Sequence, residues 1–262
     1  MMSVDTEPTV EPLLELHDVN VSFPIYHGGS RSLKKILLFK SSAGRLARDG
    51  NQRLTIEALR NISLSLHVGD RVALIGHNGA GKTTLLRAMA GIYEPTTGEA
   101  IIRGRISPMF DIGLGIDTDL SGYENIRLRA LLLGLSESDV QARSAEIAEF
   151  TELGDYLEMP VRTYSSGMML RLTFAVATCF QPEILLMDEW IVAGDEAFLN
   201  KAERRLASFV HQASVLVLAS HSVETCLKWC NKAVWLHQGE IREVGEIHSV
   251  FDKYHASLLR GA

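Results

Sequence analysis

The stretch Gly76-His-Asn-Gly-Ala-Gly-Lys-Thr83 decides the fold of this chain of 262 residues. It fits the pattern G-x-x-x-x-G-K-[ST], in which the backbone N–H groups of a glycine-rich loop surround phosphate groups. The apolar run Arg71–Ile75 precedes this loop, and a helical pattern from Thr84 to Ala90 follows it. A strand, a phosphate loop and a helix in this order predict an α/β core in which the positive end of the helix faces a bound nucleotide.

The residue types within the loop specify the ligand further. Lys82 supplies a cation for the β and γ phosphates, and the Thr83 hydroxyl is a ligand for Mg²⁺. The sequence therefore predicts ATP and Mg²⁺ as cofactors. The residues predicted to hold the nucleotide here are Gly76, His77, Asn78, Gly79, Ala80, Gly81, Lys82, Thr83 and Thr84.

Two later runs, Glu183–Met187 and Ser214–Ala219, are apolar at nearly every position. Short runs of this kind are typical of strands buried on both faces of a parallel sheet, whose carboxyl ends carry the chemistry. The first run ends at Asp188 and Glu189. We expect Asp188 to hold Mg²⁺ through water and Glu189 to orient or deprotonate the attacking water. His221, after the second run, is predicted to contact the γ phosphate.

The long segment from Asp119 to Phe180 is mostly helical in pattern and indicates a helical insertion in the α/β core. Within it, Tyr164-Ser-Ser-Gly-Met168 precedes a helical run from Met169 to Phe180. A serine and a glycine at a helix start predict either a second anion site or a simple N-cap, and spacing alone does not choose between them.

The early part of the chain has a different pattern. Leu14–Phe23 and Leu54–Leu66 are predicted strands, and the stretch 25–53 between them is irregular and basic. A helix around Leu33–Leu38, with Lys34 and Lys35 beside it, would lie near a membrane surface and meet a lipid-linked pyrophosphate, or would be a solvated basic loop. Residues 1–12 are predicted to be a flexible tail.

The bulk composition excludes several classes of protein. The net charge of −6 does not indicate a nucleic-acid partner, which usually requires a basic excess. No apolar run in the sequence approaches the roughly 18 residues of a membrane span. Cys226 and Cys230 stand four apart, but no histidine or cysteine partners follow at finger-like spacing. Reduced cytosolic thiols are therefore favoured over a metal site.

The order of phosphate loop, helical insertion, Tyr164–Met168 motif, Ile184–Glu189 and Leu218–His221 resembles an ABC-type ATPase from Leu14 to about Gly245. The resemblance implies a phosphate-loop NTPase core at 13–262 with an antiparallel β subdomain, and a helical subdomain at about 112–180. It places Tyr164–Met168 where the family has LSGGQ, so that Ser165, Ser166 and Gly167 contact nucleotide. It also assigns Asp195 to the D-loop and Phe23 to stacking on adenine.

One position departs from the family pattern. The glutamine expected between the core and the insertion is missing from Ile106–Gly115, and Asp111 is its nearest equivalent. Asp111 is therefore predicted to reach Mg²⁺ or the water. The Tyr164–Met168 motif, the stretch around Asp111, the run after Met187 and the basic insertion together resemble subunits that export bacterial surface polysaccharides such as O-antigen, capsule and teichoic acid.

This resemblance implies an ATP-hydrolysing subunit that works as a dimer, with two ATP molecules sandwiched between two copies of the chain. A separate integral membrane permease, itself a dimer, would carry the lipid-linked polysaccharide. The subunit would lie at the cytoplasmic face of the bacterial inner membrane, and a groove between the core and the helical insertion, near Asp111–Tyr123, would receive the permease's coupling helix.

Two alternatives remain open on the sequence. One is a soluble ABC-type ATPase that is not coupled to transport, and the other is an exporter subunit for a different substrate such as teichoic acid. A small-molecule kinase built on the same loop would explain neither Tyr164–Met168 nor His221.

Overall fold

A computed structural model describes residues 11–25, 45–48, 54–110, 113, 115–132, 136–179, 181–189 and 196–260. The strands described are β1 (Leu14–Pro24), β2 (Arg45–Arg48), β3 (Leu54–Leu66), β4 (Arg71–Ile75), β5 (Thr97–Ile102), β6 (Ile106–Pro108), β7 (Ile184–Asp188), β8 (Val215–Ala219), β9 (Lys232–His237) and β10 (Glu240–Glu246). The α-helices described are α1 (Lys82–Met89), α2 (Gly122–Leu132), α3 (Glu137–Thr151), α4 (Ser166–Ala177), α5 (Glu196–Gln212), α6 (Val223–Trp229) and α7 (Ile247–Arg260).

The chain divides into two compact units. The core unit comprises Met1–Ile106, Glu183–Trp190 and Ser214–Ala262, and the helical unit comprises Ser107–Pro182 and Ile191–Ala213. The helical unit thus takes in α5 as well as the segment 112–180 that the sequence indicates.

The central sheet has the strand order β10-β9-β4-β8-β7-β6. β4 pairs in parallel with β8 and β9, and β8 pairs in parallel with β7. Every residue of β8 is buried, as is usual for an inner strand of a parallel sheet whose two faces are covered by helices. The three predicted strands are confirmed, although β7 and β8 each begin one residue later than the apolar pattern indicates. Their carboxyl ends lie at one edge of the sheet.

A second sheet, with the order β2-β3-β1-β5, is antiparallel throughout. Leu14, Leu16, Val19 and Val21 of β1 are buried. Irregularities in the register between Leu16 and Val19 keep these side chains on one face. The predicted antiparallel subdomain is confirmed, and its long first strand places Phe23 near its end.

The helical unit is held together by an aromatic core. Phe150 of α3, Phe174 of α4 and Phe198 of α5 have ring centroids 5.8–6.2 Å apart. Aromatic pairs at such distances contribute about 0.5–1.5 kcal/mol beyond the area they bury. α3 begins at a capping box, in which the side chains of Ser136 and Asp139 each accept from the backbone N–H of the other residue.

Several sequence predictions lie outside the described residues. These are residues 1–10 of the predicted tail, Asp111 and Asp195. Of the insertion 25–53, only residues 25 and 45–48 are described, so that the predicted helix at 33–38 also lies outside. None of the helices described is both long and apolar enough to span a membrane.

Candidate nucleotide-binding site

The phosphate loop connects β4 to α1 in the core unit. Gly76, Gly79 and Gly81 have φ angles of +146°, +76° and +107°, where residues with a Cβ are strained. A Cβ on Gly76 would also lie 2.3 Å from the Leu236 carbonyl oxygen. α1 begins at Lys82, two residues before the predicted start, because the left-handed Gly81 ends the loop and stands at the N-cap.

A hairpin turn formed by Gln238 and Gly239 packs against the phosphate loop and hydrogen-bonds to it. The Gly239 N–H donates to the Ala80 carbonyl at 2.9 Å, and the Gly239 carbonyl accepts from the Arg60 N–H at 2.8 Å. A Cβ on Gly239 would lie 2.6 Å from the Ala58 carbonyl oxygen. The turn therefore lies tightly between the phosphate loop and β3. The sequence predicts this strand pair but not its contact with the loop.

Lys82 lies across the loop. Its Nζ donates to the carbonyl oxygens of Gly76 at 2.7 Å and His77 at 3.3 Å. Burial lowers the pKa of the Lys82 ammonium, and the nearby carboxylates of Asp188 and Glu189 oppose that shift. The lysine is thus a partly desolvated cation held against carbonyl oxygens of the loop, and its role as a phosphate ligand stays a prediction.

Thr83 and Asp188 meet where α1 begins and β7 ends. The Thr83 hydroxyl donates to Asp188 Oδ2 at 2.7 Å. Adjacent oxygen ligands of an octahedral Mg²⁺ lie about 2.9 Å apart. Two oxygens at this spacing, one of them a carboxylate, fit two neighbouring Mg²⁺ ligands, or one direct ligand and one that acts through water.

Glu189 has a backbone conformation that is unusual for its residue type. Its φ angle is +62°, and its N–H donates to the Ala219 carbonyl at 2.7 Å. Left-handed residues with a side chain are uncommon, and they concentrate at functional sites. The His221 Nε2 lies 3.8 Å from Glu189 Oε1, with both side chains about half exposed. The structure therefore brings together the acid and the histidine that the sequence places after separate strands.

Phe23 is part of a small aromatic cluster of the core unit. Its ring contacts that of Tyr93 edge to face, with centroids 5.2 Å apart, and 36% of the residue is exposed. Arg87 Nη1 donates to the Tyr93 hydroxyl at 3.1 Å. Sequence reasoning missed Tyr93, since a single aromatic residue after a helix carries no spacing signal.

The Ser165–Gly167 motif lies in the helical unit and is exposed. The Ser165 hydroxyl accepts from the Met168 N–H at 3.3 Å, so that α4 begins at Ser166 rather than at the predicted Met169. The simple N-cap predicted as one alternative is therefore present. An exposed N-cap also leaves the first N–H groups of a twelve-residue helix available to an anion.

The three cysteines are buried, and burial raises the pKa of the Cys226 thiol to about 11. Over the described part of the chain, no group of three or more His, Cys, Asp or Glu side chains is arranged to hold a metal ion.

Comparison with known proteins identifies the family. The model of a family described as ABC transporter matches residues 59–192. The O-antigen export system ATP-binding protein RfbE of Yersinia enterocolitica is 49% identical over 226 residues, which cover 86% of this chain and 95% of that protein. The chain belongs to the ABC transporter family. The teichoic acids export ATP-binding protein TagH of Listeria innocua is 36% identical over 236 residues, covering 90% of this chain and 68% of that protein.

A solved structure shows the same fold. It is the dimeric structure of a post-hydrolysis state of an ATP-binding cassette bound to ADP and Pi, with a TM-score of 0.63, 20% identity, and coverage of 89% of this chain and 98% of that one. The predicted family, fold and ATPase activity are confirmed. The roles of individual residues in this ABC transporter ATPase stay predictions.

Proposed function

We propose that the chain is the ATP-hydrolysing subunit that powers export of a lipid-linked, O-antigen-like surface polysaccharide through a separate membrane permease. The observation that carries the proposal is the geometry of the core unit, where the Thr83–Asp188 contact and the Glu189–His221 pair lie with the phosphate loop. The likeness to RfbE supports the choice of substrate class. A soluble ATPase is less well supported, since both curated relatives named above are export proteins.

The side chains divide the work of hydrolysis as follows. Lys82 and the loop N–H groups bind the β and γ phosphates, and Phe23 stacks on the adenine. Thr83 and Asp188 would hold Mg²⁺, which supplies neutralisation of phosphate charge. The Glu189 carboxylate orients the attacking water and accepts its proton. His221, within 3.8 Å of that carboxylate, is placed to hold the γ phosphate or the water beside it.

We also propose that two copies form the complete site. Gly167 is the second residue of α4, and alanine is the better helix former at such a position. Apart from its two chain neighbours and the nearby backbone of α4, the one described atom within 4 Å of a Cβ there would be Ser165 Oγ, at 3.9 Å. Because the chain itself gives the glycine no steric reason, we expect a second surface against it, namely ATP held by the phosphate loop of a partner copy.

The permease is proposed to bind the helical unit at a cavity of about 520 Å³ that includes Tyr123, the end of the predicted groove. The cavity is lined by Tyr123, Ala148, Glu149, Glu152, Gly154, Asp155, Leu157 and Glu158. Glu152 is paired with Arg171 and Lys201, whereas Glu149, Asp155 and Glu158 add negative charge around Tyr123 and Leu157. A short basic helix with an apolar side at a cytoplasmic loop of the permease fits this lining.

Cross-linking tests this docking site. The native cysteines are buried, so Glu158→Cys would introduce an accessible thiol. We expect it to cross-link to cysteines in the permease's cytoplasmic loops, whereas Glu99→Cys, on β5 of the core unit, should not. Equal cross-linking of the two variants would contradict the proposed position.

Reconstitution with the permease tests the function. ATPase activity would be measured in proteoliposomes with an O-antigen-type lipid-linked glycan, with a teichoic-acid-type glycan, and without either. We expect the first glycan to give the greatest stimulation. Stimulation by the teichoic-acid type alone would reassign the substrate, and an ATPase indifferent to permease and glycan would favour the soluble alternative. A Lys82→Ala variant measures background hydrolysis.

The basic insertion is proposed to meet the lipid-linked pyrophosphate or the membrane surface. Neutralising Arg31, Lys34 and Lys35 should then lower export while leaving basal ATP hydrolysis unchanged. Export at the parent rate would contradict this role and favour a solvated loop.

A further inference from the structure

Tyr164, the residue before Ser165, makes a contact that neither the phosphate loop nor the N-cap explains. Its hydroxyl donates to the Tyr156 carbonyl oxygen at 2.7 Å. Tyr156 belongs to a 3₁₀ turn, Gly154–Glu158. Gly122, the first residue of α2, packs directly against the phenolic oxygen. One hydroxyl thus connects the start of α2, the 3₁₀ turn and the motif that begins α4.

Gly122 shows how closely these three segments pack. A Cβ at this position would lie 2.5 Å from Tyr164 Oη and 2.8 Å from Leu157 Cδ2. The residue is buried and its φ is not positive, so the glycine is needed for space rather than for backbone conformation. The phenol therefore fits a site that glycine leaves open, and we call this contact the Tyr164 junction.

The Tyr164 junction lies directly behind the wall of the cavity in the helical unit. Tyr123 and Leu157 both line that cavity. Tyr123 follows Gly122 in the chain, and Leu157 packs against Gly122. On the other side of the junction, Ser165 follows Tyr164 in the chain and caps α4. A displacement of the cavity wall would therefore reach the Ser165 N-cap through a single hydrogen-bonded side chain.

We infer that Tyr164 is a positioning residue, whose hydroxyl fixes Ser165 and the first turn of α4 relative to the cavity wall. The inference rests on the proposed function in one respect, namely that Ser165–Gly167 contact the ATP of a second copy. Tyr164 itself does not touch the nucleotide. It sets the orientation in which the α4 start meets the nucleotide and links that orientation to occupancy of the cavity.

A hydroxyl that only stabilised the helical unit would give a different pattern of effects. Its removal would lower the melting temperature and leave the turnover of the folded protein unchanged. A positioning hydroxyl also changes kcat and the ATP-dependent association of two copies, but not the affinity of the phosphate loop for ATP. The ratio of these effects separates the two roles.

Tyr164→Phe is the direct test, because it keeps the ring and removes only the bonding oxygen. We expect two quantities to fall about 2–10-fold, the range for one hydrogen bond: kcat, measured with Glu189 intact, and the association constant of the ATP-bound dimer, measured in a Glu189→Gln background. The affinity of the monomer for ATP should stay at the parent value. Tyr156→Phe is the matched control, since it removes a nearby tyrosine hydroxyl but leaves the accepting carbonyl in place.

Gly122→Ala provides a second variant that disturbs the junction from the opposite side. Its Cβ would displace the Tyr164 hydroxyl, so we expect the same loss of kcat and dimer association. Combined with Tyr164→Phe, the loss should be less than the product of the two single effects, because both remove one contact. Parent kcat and dimer association in Tyr164→Phe, or an equal loss in Tyr156→Phe, would overturn the inference.

The permease then tests the link to the cavity. Stimulation of the ATPase by the reconstituted permease should be weaker in Tyr164→Phe than in Tyr156→Phe, and equal stimulation would overturn the link. If the permease fails to stimulate even the parent protein, the proposed function is wrong, whereas the positioning role is still decided by kcat and dimer association.

Discussion

The phosphate loop and the Ser165–Gly167 motif are both glycine-containing helix starts, but their surroundings differ. Within the core unit, Gly76 and Gly81 of the loop face backbone atoms of the same chain, such as the Leu236 carbonyl 2.3 Å from a Cβ at Gly76. At Gly167, the corresponding Cβ would meet Ser165 Oγ at 3.9 Å. One chain thus accounts for Gly76 and Gly81 of the loop, whereas the motif's glycine indicates a contact from outside the chain.

The largest expected effect tests whether a second copy completes the motif. Glu189→Gln should reduce hydrolysis about 10²–10⁴-fold, because it removes the proposed base, and should leave ATP binding intact. With ATP the variant should accumulate as a dimer, measurable by light scattering after size-exclusion chromatography. A monomer under saturating ATP would contradict the explanation of Gly167, and near-normal hydrolysis would overturn the assignment of Glu189.

The next effect tests how much the loop depends on the hairpin turn. Gly239→Ala places a Cβ 2.6 Å from a backbone oxygen at a φ of +80°, and should displace the turn that bonds Ala80. We expect ATP affinity, measured by calorimetry, to fall about 30-fold. This fall corresponds to roughly 2 kcal/mol of strain that displaces the loop from its binding conformation.

Gly69→Ala is the matched control for this change. Its φ is +93°, but no described atom outside its chain neighbours lies within 4 Å of the added Cβ. Both variants should lose some stability, and only Gly239→Ala should lose ATP affinity. An equal loss of affinity in both would mean that the turn does not support the loop.

A smaller effect, with opposite signs in stability and activity, distinguishes the motif from the loop. Gly167→Ala should stabilise α4 by about 0.2–0.5 kcal/mol, less than in a helix interior because residue 167 lies in the first turn, and raise the melting temperature by about 1 °C. Turnover should fall about 5–30-fold, as expected when a methyl group overpacks a tight contact. Unchanged turnover in this more stable variant would show that no second surface approaches Gly167.

The smallest effect concerns the aromatic support of Phe23. Tyr93→Leu removes the ring that holds Phe23 edge to face, and should weaken ATP binding about 2–10-fold, the value of one aromatic pair. Tyr93→Phe retains the ring and loses only the bond from Arg87, so its affinity should stay closer to the parent value. Equal affinity in Tyr93→Leu and the parent would separate Tyr93 from the nucleotide site.

Sequence reasoning succeeds where one short segment carries both the signal and the structure. The phosphate loop lies between β4 and α1, and Asp188 and Glu189 end a buried strand, because local spacing and apolar runs determine those features. The predicted starts of α1 and α4 lie two and three residues too late, respectively. The caps Gly81 and Ser165 are recognised from backbone geometry rather than from apolar periodicity.

Features that depend on contacts between distant segments escape this reasoning. Membership of α5 in the helical unit follows from Phe198 packing on Phe150 and Phe174, which no periodicity reveals. The left-handed Glu189 is equally hidden, because its conformation is held by a bond to Ala219 on the neighbouring strand.

The hairpin turn at Gln238–Gly239 also bears on protein engineering. The phosphate loop has eight residues, but its conformation here also depends on a turn far downstream in the sequence and on β3 upstream. Transplanting Gly76–Thr83 into another scaffold without Ala58–Arg60 and the Gly239 turn would transfer the sequence of the loop without the contacts that hold its conformation. A successful graft would have to carry all three segments together.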